Sequence, residues 1–266
     1  MPHIDAPFIS LRNVSLRFIT YRDKRTHLKE AMVGKLLRRL GGLRPSNEHF
    51  WAMRDFDLHV ESGDRLGVIG PNGAGKSTML RVIAGVYAPT TGCIEVNGGV
   101  APLIDIGAGF NHEVSAYENI ILYGALLGFS RHEMEARADG ILTFAGVEEF
   151  AAMPTKYYSV GMLRRLAFSA ATDITPDVLL IDEVFAGGDV QFHEKAKQRM
   201  LELIDNAKVM VMVSHQLPLI KDLCTRVIWV DKGRIRLSGN PEEVIEAYLE
   251  EVGTGKPAAN QTTRAA

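Results

Sequence analysis

The chain has 266 residues, 46% hydrophobic and 23% charged, an ordinary composition for a soluble protein and enough chain for one large or two small domains. Lys and Arg total 30 against 32 Asp and Glu, and the formal net charge of −2 argues against a generic basic nucleic-acid binder; no nucleic-acid partner is expected. Cys93 and Cys224 lie far apart and form no CxxC or Cys/His set, which argues against a disulfide framework or a zinc site.

No apolar run approaches the roughly 20 residues that cross a bilayer, and the first residues lack the charged-then-apolar order of a secretory signal. Residues 8–14 alternate loosely and predict a strand, followed by a turn and a second extended piece to residue 18. Residues 22–49 change character. Eight Lys or Arg stand there against three acids, and Leu28, Met32, Leu36 and Leu40 recur every four residues, which predicts one amphipathic helix ending at Gly41-Gly42. An extended region follows over 50–60. Residues 65–70 read as a short buried strand and 76–86 as a helix, with further strands near 93–96 and 100–104. The pattern is helical from 117 to 150, interrupted at 128–130, and again over 161–172. Residues 178–181 and 208–213 are continuous apolar runs, as in a parallel sheet covered on both faces, with a long helix over 190–205 between them. Strands at 227–230 and 234–237 and a helix at 241–251 complete the order, and the composition of 253–266 predicts a disordered tail.

Gly70-Pro71-Asn72-Gly73-Ala74-Gly75-Lys76-Ser77-Thr78 fits G-x-x-x-x-G-K-[ST] without mismatch, between an apolar strand and a helix. The glycines let backbone N–H groups wrap phosphate oxygens, and the helix that follows directs its N-terminal dipole at the same anion. Lys76 is placed for the β- and γ-phosphates of ATP and the Ser77 hydroxyl for Mg²⁺. A dinucleotide fingerprint does not fit the same glycines. The apolar strand at 178–181 ends in Asp182-Glu183. A carboxylate at a strand's C-terminal end suits the Mg²⁺ shell, which assigns Asp182, and its neighbour Glu183 suits the general base that takes a proton from water. His215 follows the strand at 208–213 and is positioned to donate to the γ-phosphate.

This order of motifs resembles the nucleotide-binding subunit of an ATP-binding-cassette (ABC) transporter. Tyr158-Ser159-Val160-Gly161-Met162 stands where that family carries its Leu-Ser-Gly-Gly-Gln signature, so Ser159 and Gly161 are implied to contact the γ-phosphate held by the other subunit. Asp189 matches the loop that crosses the dimer interface. Phe18 matches the adenine-stacking position best, with Tyr21 and Trp51 as rivals. The segments 50–55, 107–113, 118–120 and 183–189 are similar to the bacterial subfamily that exports lipid-linked O-antigens, capsules and teichoic acids, over about residues 9–251. The resemblance implies an α/β phosphate-loop ATPase core with an N-terminal antiparallel β layer and an α-helical signature subdomain at about 117–172. It implies one ATPase domain over 1–252 and a tail over 253–266, too short for the carbohydrate-binding domain that some members add.

The implied protein is an ATP-hydrolysing homodimer. It sits peripherally on the cytoplasmic side of the bacterial inner membrane and drives a lipid-linked polysaccharide through an integral-membrane permease. An ABC ATPase for another cargo, or a soluble mechanical ATPase of the same class, are the other readings; the latter usually carries coiled-coil arms or two cassettes, and this chain has one cassette and no long heptad run. Val160 departs from the family's Ser or Gly and is expected to weaken the signature's contact. No Gln stands near 103–106, where many members use one beside Mg²⁺; Glu113 or Asn111 are the stand-ins weighed. The basic insertion at 22–49 reads either as a packed, solvated helix or as one lying near anionic headgroups or the permease.

Overall fold

The computed structural model describes residues 6–20, 48–182 and 190–254. The amphipathic helix expected at 22–49 falls almost wholly outside these residues, as do Tyr21, Glu183, Asp189 and most of the tail.

In chain order the strands and helices are β1 (Phe8–Thr20), β2 (Glu48–Val60), β3 (Arg65–Ile69), α1 (Lys76–Ile83), β4 (Thr91–Asn97) and β5 (Val100–Leu103). Then follow α2 (Ala116–Leu126), α3 (Arg131–Ala145), α4 (Val160–Thr172), β6 (Val178–Asp182), α5 (Val190–Asn206) and β7 (Val209–Val213). The chain closes with α6 (Leu217–Leu223), β8 (Arg226–Asp231), β9 (Arg234–Gly239) and α7 (Pro241–Thr254). Among these elements α6, a short helix with Pro218 in its first turn, has no counterpart in the sequence expectation.

The continuous apolar runs become central strands. Their sheet has the order β5-β6-β7-β3-β8-β9, parallel from β5 to β8, with β9 returning antiparallel on β8. Successive side chains on a strand point to opposite faces, and here both faces are covered. Leu66, Val68, Val178, Leu180, Val211 and Val213 pack on one side with α1 and the second sheet. Leu179, Ile181, Met210, Met212, Val227 and Trp229 pack on the other with α2 to α7. That is why these segments show no polar alternation.

The second sheet has the order β2-β1-β4, all antiparallel. The turn expected inside 8–18 is instead a bend within one strand. Asn13 and Asp55 adopt positive φ of 50° and 51°, and the register shifts between Leu11 and Val14. The Asn13 N–H donates to Asp57 Oδ1 at 2.8 Å and the Asp55 N–H to Ser15 Oγ at 2.9 Å, so the two strands bulge together.

The helices α2, α3 and α4 form the helical region expected from the sequence. α2 and α3 each open on a capping box, Ser115 with Glu118 and Ser130 with Glu133, and α3 ends on Gly146 in the left-handed region. The segment before α2 is fastened to the segment before α4 through one fully buried amide. Asn119 accepts from the Asn111 N–H at 2.7 Å and shares its NH₂ among the carbonyls of Asn111 and Ser115 and the Thr155 hydroxyl. Thr155 N–H adds a bond to the Val114 carbonyl at 3.0 Å. Removing this amide takes the acceptor from the Asn111 N–H and breaks the bonds that tie Asn111, Ser115 and the buried Thr155 together. Asn119→Ala is expected to lower unfolding stability by roughly 2–3 kcal/mol, read as a shift of the urea midpoint; a midpoint within error of the unsubstituted chain contradicts this account.

Candidate functional site

Parallel pairing puts the C-terminal ends of β5, β6, β7 and β3 on one edge of the central sheet. Ligands bind in the crevice outside such an edge. After β3 the chain turns through Gly70 (φ 143°) and Gly75 (φ 107°). A Cβ at Gly70 would collide with the Val230 carbonyl of β8, and one at Gly75 with the Ala52 carbonyl of β2. Both positions therefore need glycine for space as well as for φ. The loop is braced further. Gly233, in the β8–β9 turn, donates to the Ala74 carbonyl at 2.9 Å and accepts from the Arg54 N–H at 2.7 Å.

No side chain caps the first turn of α1, so its leading N–H groups face the crevice. The Lys76 stem is buried. Its ammonium lies under the loop, donating to the carbonyls of Gly70 at 2.8 Å and Pro71 at 3.0 Å. Outside the loop is a cleft of about 560 Å³, within the range of small-molecule sites. Asn72, Gly73, Gly75, Lys76, Ser77 and Thr78 line it, joined by Asp182 from the tip of β6 and His215 just past β7. These are sequence candidates that the fold brings together. Gly70, Pro71 and Ala74 shape the loop behind them.

Four further cleft residues, Phe50, Ala52, Arg81 and Asp105, escaped the sequence reading. Phe50 of β2 lines the cleft and is 56% exposed. Phe18 does not line it. It sits directly across the ladder from Phe50 and packs edge-on against Tyr87, with ring centroids 5.4 Å apart. Trp51 lies between the guanidinium groups of Arg17 and Arg54. Asp105 lines the cleft just past β5, and Arg81 of α1 donates to its Oδ2 at 2.6 Å. That hydrogen bond foremost, then the charges of Asp105, Tyr87 and Asp182, holds the Arg81 guanidinium above its ordinary pKa against the opposing effect of burial. The stand-ins weighed for the missing Gln lie elsewhere. Glu113 pairs with Lys156 at 2.6 Å, and Asn111 belongs to the Asn119 network.

Ser159 and Gly161 also lie apart from the cleft. Ser159 caps α4 by accepting from the Met162 N–H at 3.1 Å, and Val160, its first residue, is 67% exposed. Among the described residues no three His, Cys, Asp or Glu side chains form a metal cluster. A site that shares a hydroxyl and one or two carboxylates with nucleotide phosphates fits Mg²⁺ chemistry, and Ser77, Asp182 and Asp105 supply that set.

A glycine cradle opening a helix, with a hydroxyl and carboxylates at neighbouring strand tips, defines a phosphate-loop nucleotide-binding protein. Residues 53–186 match the family described as ABC transporter. The chain is 40% identical over 240 residues to the O-antigen export system ATP-binding protein RfbB of Myxococcus xanthus, covering 90% of this chain and 54% of that one. It is 35% identical over 244 residues to the Klebsiella pneumoniae protein of the same name, covering 91% and 97%. It is 39% identical over 209 residues to the teichoic acids export ATP-binding protein TagH of Lactococcus lactis, covering 79% and 45%. The chain thus spans about half the length of the Myxococcus and Lactococcus relatives and nearly all of the Klebsiella one. Among solved structures it superposes on a dimeric post-hydrolysis form of the ATP-binding cassette MJ0796 bound to ADP and Pi, with TM-score 0.63 and 21% identity, covering 88% of this chain and 98% of that one. The chain belongs to the ABC transporter family, as an ATP-binding cassette.

Two expectations follow. Gly75→Ala pushes a methyl into the Ala52 carbonyl and is expected to weaken nucleotide binding at least about tenfold; a fluorescent ATP analogue measures it. Phe50→Ala is expected to cost about 1–3 kcal/mol of nucleotide affinity through lost base stacking, while Phe18→Ala lowers thermal stability and changes affinity little. The reverse ranking would return the stacking role to Phe18.

Proposed function

We propose that the protein is the ATP-hydrolysing subunit of an exporter that moves a lipid-linked cell-surface polysaccharide through a separate transmembrane subunit. The observation that carries the ATPase reading is the convergence of Lys76, Ser77, Asp182 and His215 on one cleft at the sheet edge. The O-antigen export roles named for two relatives that match about nine-tenths of the chain support the cargo. No helix among the described residues is long and apolar enough to cross a membrane. In this reading the transmembrane part is a permease on another polypeptide.

In this reading the α1 N–H groups and Lys76 hold the β- and γ-phosphates, and Phe50 stacks the base. Ser77 and Asp182 would hold Mg²⁺, which would supply positive charge to the phosphate oxygens when bound. Glu183 accepts a proton from the water that attacks the γ-phosphorus, and His215 donates to a γ-phosphate oxygen. Ser159 and Gly161, exposed and remote from their own cleft, complete the site of a second copy, with Asp189 crossing between copies. The working unit is then a head-to-tail homodimer held peripherally on the cytoplasmic face of the membrane.

The test is expression with the genes beside its own, followed by purification from membranes. A multi-spanning protein is expected to co-purify. Glu183→Gln is expected to bind ATP but turn it over at least about 100-fold more slowly, and to accumulate as a dimer. A soluble monomer with full turnover of its own overturns the two-copy mechanism.

A further inference from the structure

Ser77 and Arg81 lie one turn apart on α1 and so share a helix face. That face meets the tips of β5 and β6, where the pairing of Leu103 with Ile181 brings Asp105 and Asp182 to the same edge. Lys76, Arg81, Asp105 and Asp182 all line the cleft, so its two Lys or Arg and two Asp cancel among the described residues. Arg81 donates a 2.6 Å hydrogen bond to Asp105 and shares the cleft lining with Asp182. Asp105 itself sits at a positive φ of 51°, uncommon for a residue with a side chain. The pair is not sealed. The Asp105 side chain is 63% exposed and that of Arg81 28%, so their bond is weak enough to be exchanged for a stronger partner.

We propose that Arg81 is a positioning residue which neutralises Asp105 and Asp182 until a nucleotide brings its divalent cation, and that Asp105 then leaves Arg81 to join the oxygen ligands of that cation. The proposal rests on the ATPase reading above. Without Arg81, two carboxylates would stand beside the Ser77 hydroxyl with no guanidinium between them, a hard-oxygen set that takes up a free divalent cation. With Arg81, the cleft is balanced and the phosphates must supply the missing negative charge. Cation and nucleotide therefore arrive together, and an ATP-free cleft stays clear of metal.

The probe is Mn²⁺, followed by electron paramagnetic resonance on the full chain without nucleotide. Arg81→Gln is expected to bind free Mn²⁺ at least about tenfold more tightly than the unsubstituted protein. Arg81→Lys, which keeps the charge, should return affinity toward the original, and Arg81→Gln with Asp105→Asn should lose the gain. A loss of packing alone predicts none of this order. Equal free-Mn²⁺ affinity in Arg81→Gln and the unsubstituted chain overturns the proposal. Asp105→Asn carries the test if Arg81→Gln does not fold: in the ATP complex it should hold Mn²⁺ about three- to tenfold more weakly, and unchanged affinity is the overturning result. Failure of the unsubstituted protein to bind ATP at all instead removes the ATPase reading, and the nucleotide-free comparison separates the two.

Discussion

Parallel pairing of the central strands is the constraint on which the molecule depends. Once β5, β6, β7, β3 and β8 run the same way, their C-terminal ends share an edge, and the residues just past them face one crevice. The same pairing leaves no strand face for water. One side must be covered by α2 to α7 and the other by α1 and the antiparallel sheet, as the alternation of side chains between two cores records. The phosphate loop is caught between these layers. Its glycines are pressed against a carbonyl from each sheet, so the loop's shape follows from packing around it as much as from its own sequence.

Charge in the cleft follows the same geometry. The α1 N-terminus and Lys76 provide the positive end, and the strand tips provide carboxylates. Arg81 lies one turn further along α1, where it bonds Asp105 and shares the cleft with Asp182. In the proposed reading its charge balances the two carboxylates, so that the order of ligand arrival depends on four residues rather than on the whole surface.

The Ser159 end of α4 stands apart from the cleft. Asn119 and Thr155 fasten the segment that follows the β5 tip to the segment that leads into α4, so the exposed Ser159 end is linked by hydrogen bonds to the side of the cleft where Asp105 sits. In the proposed reading, where Ser159 serves a second copy, this link would carry a change at the cleft to the surface offered to that copy. The relatives that cover about nine-tenths of the chain carry export roles for O-antigen and the Lactococcus relative for teichoic acids, two polymers built on lipid carriers in the proposed reading.

The phosphate loop, the Asp182 strand and the family resemblance were legible in the chain alone. Each rests on neighbours in the chain: a glycine spacing, an acid ending an apolar run, an order of motifs. Tertiary structure alone decided which of two aromatics lies in the cleft, since Phe18 and Phe50 are paired across the β1–β2 ladder and differ only in what packs over them. It also decided that Asp105, and neither Asn111 nor Glu113, lines the cleft with Asp182, and that Arg81 bonds Asp105 there. Those contacts join strands and helices distant in sequence, and a residue's type and spacing carry no information about which remote side chain will fill the space opposite it.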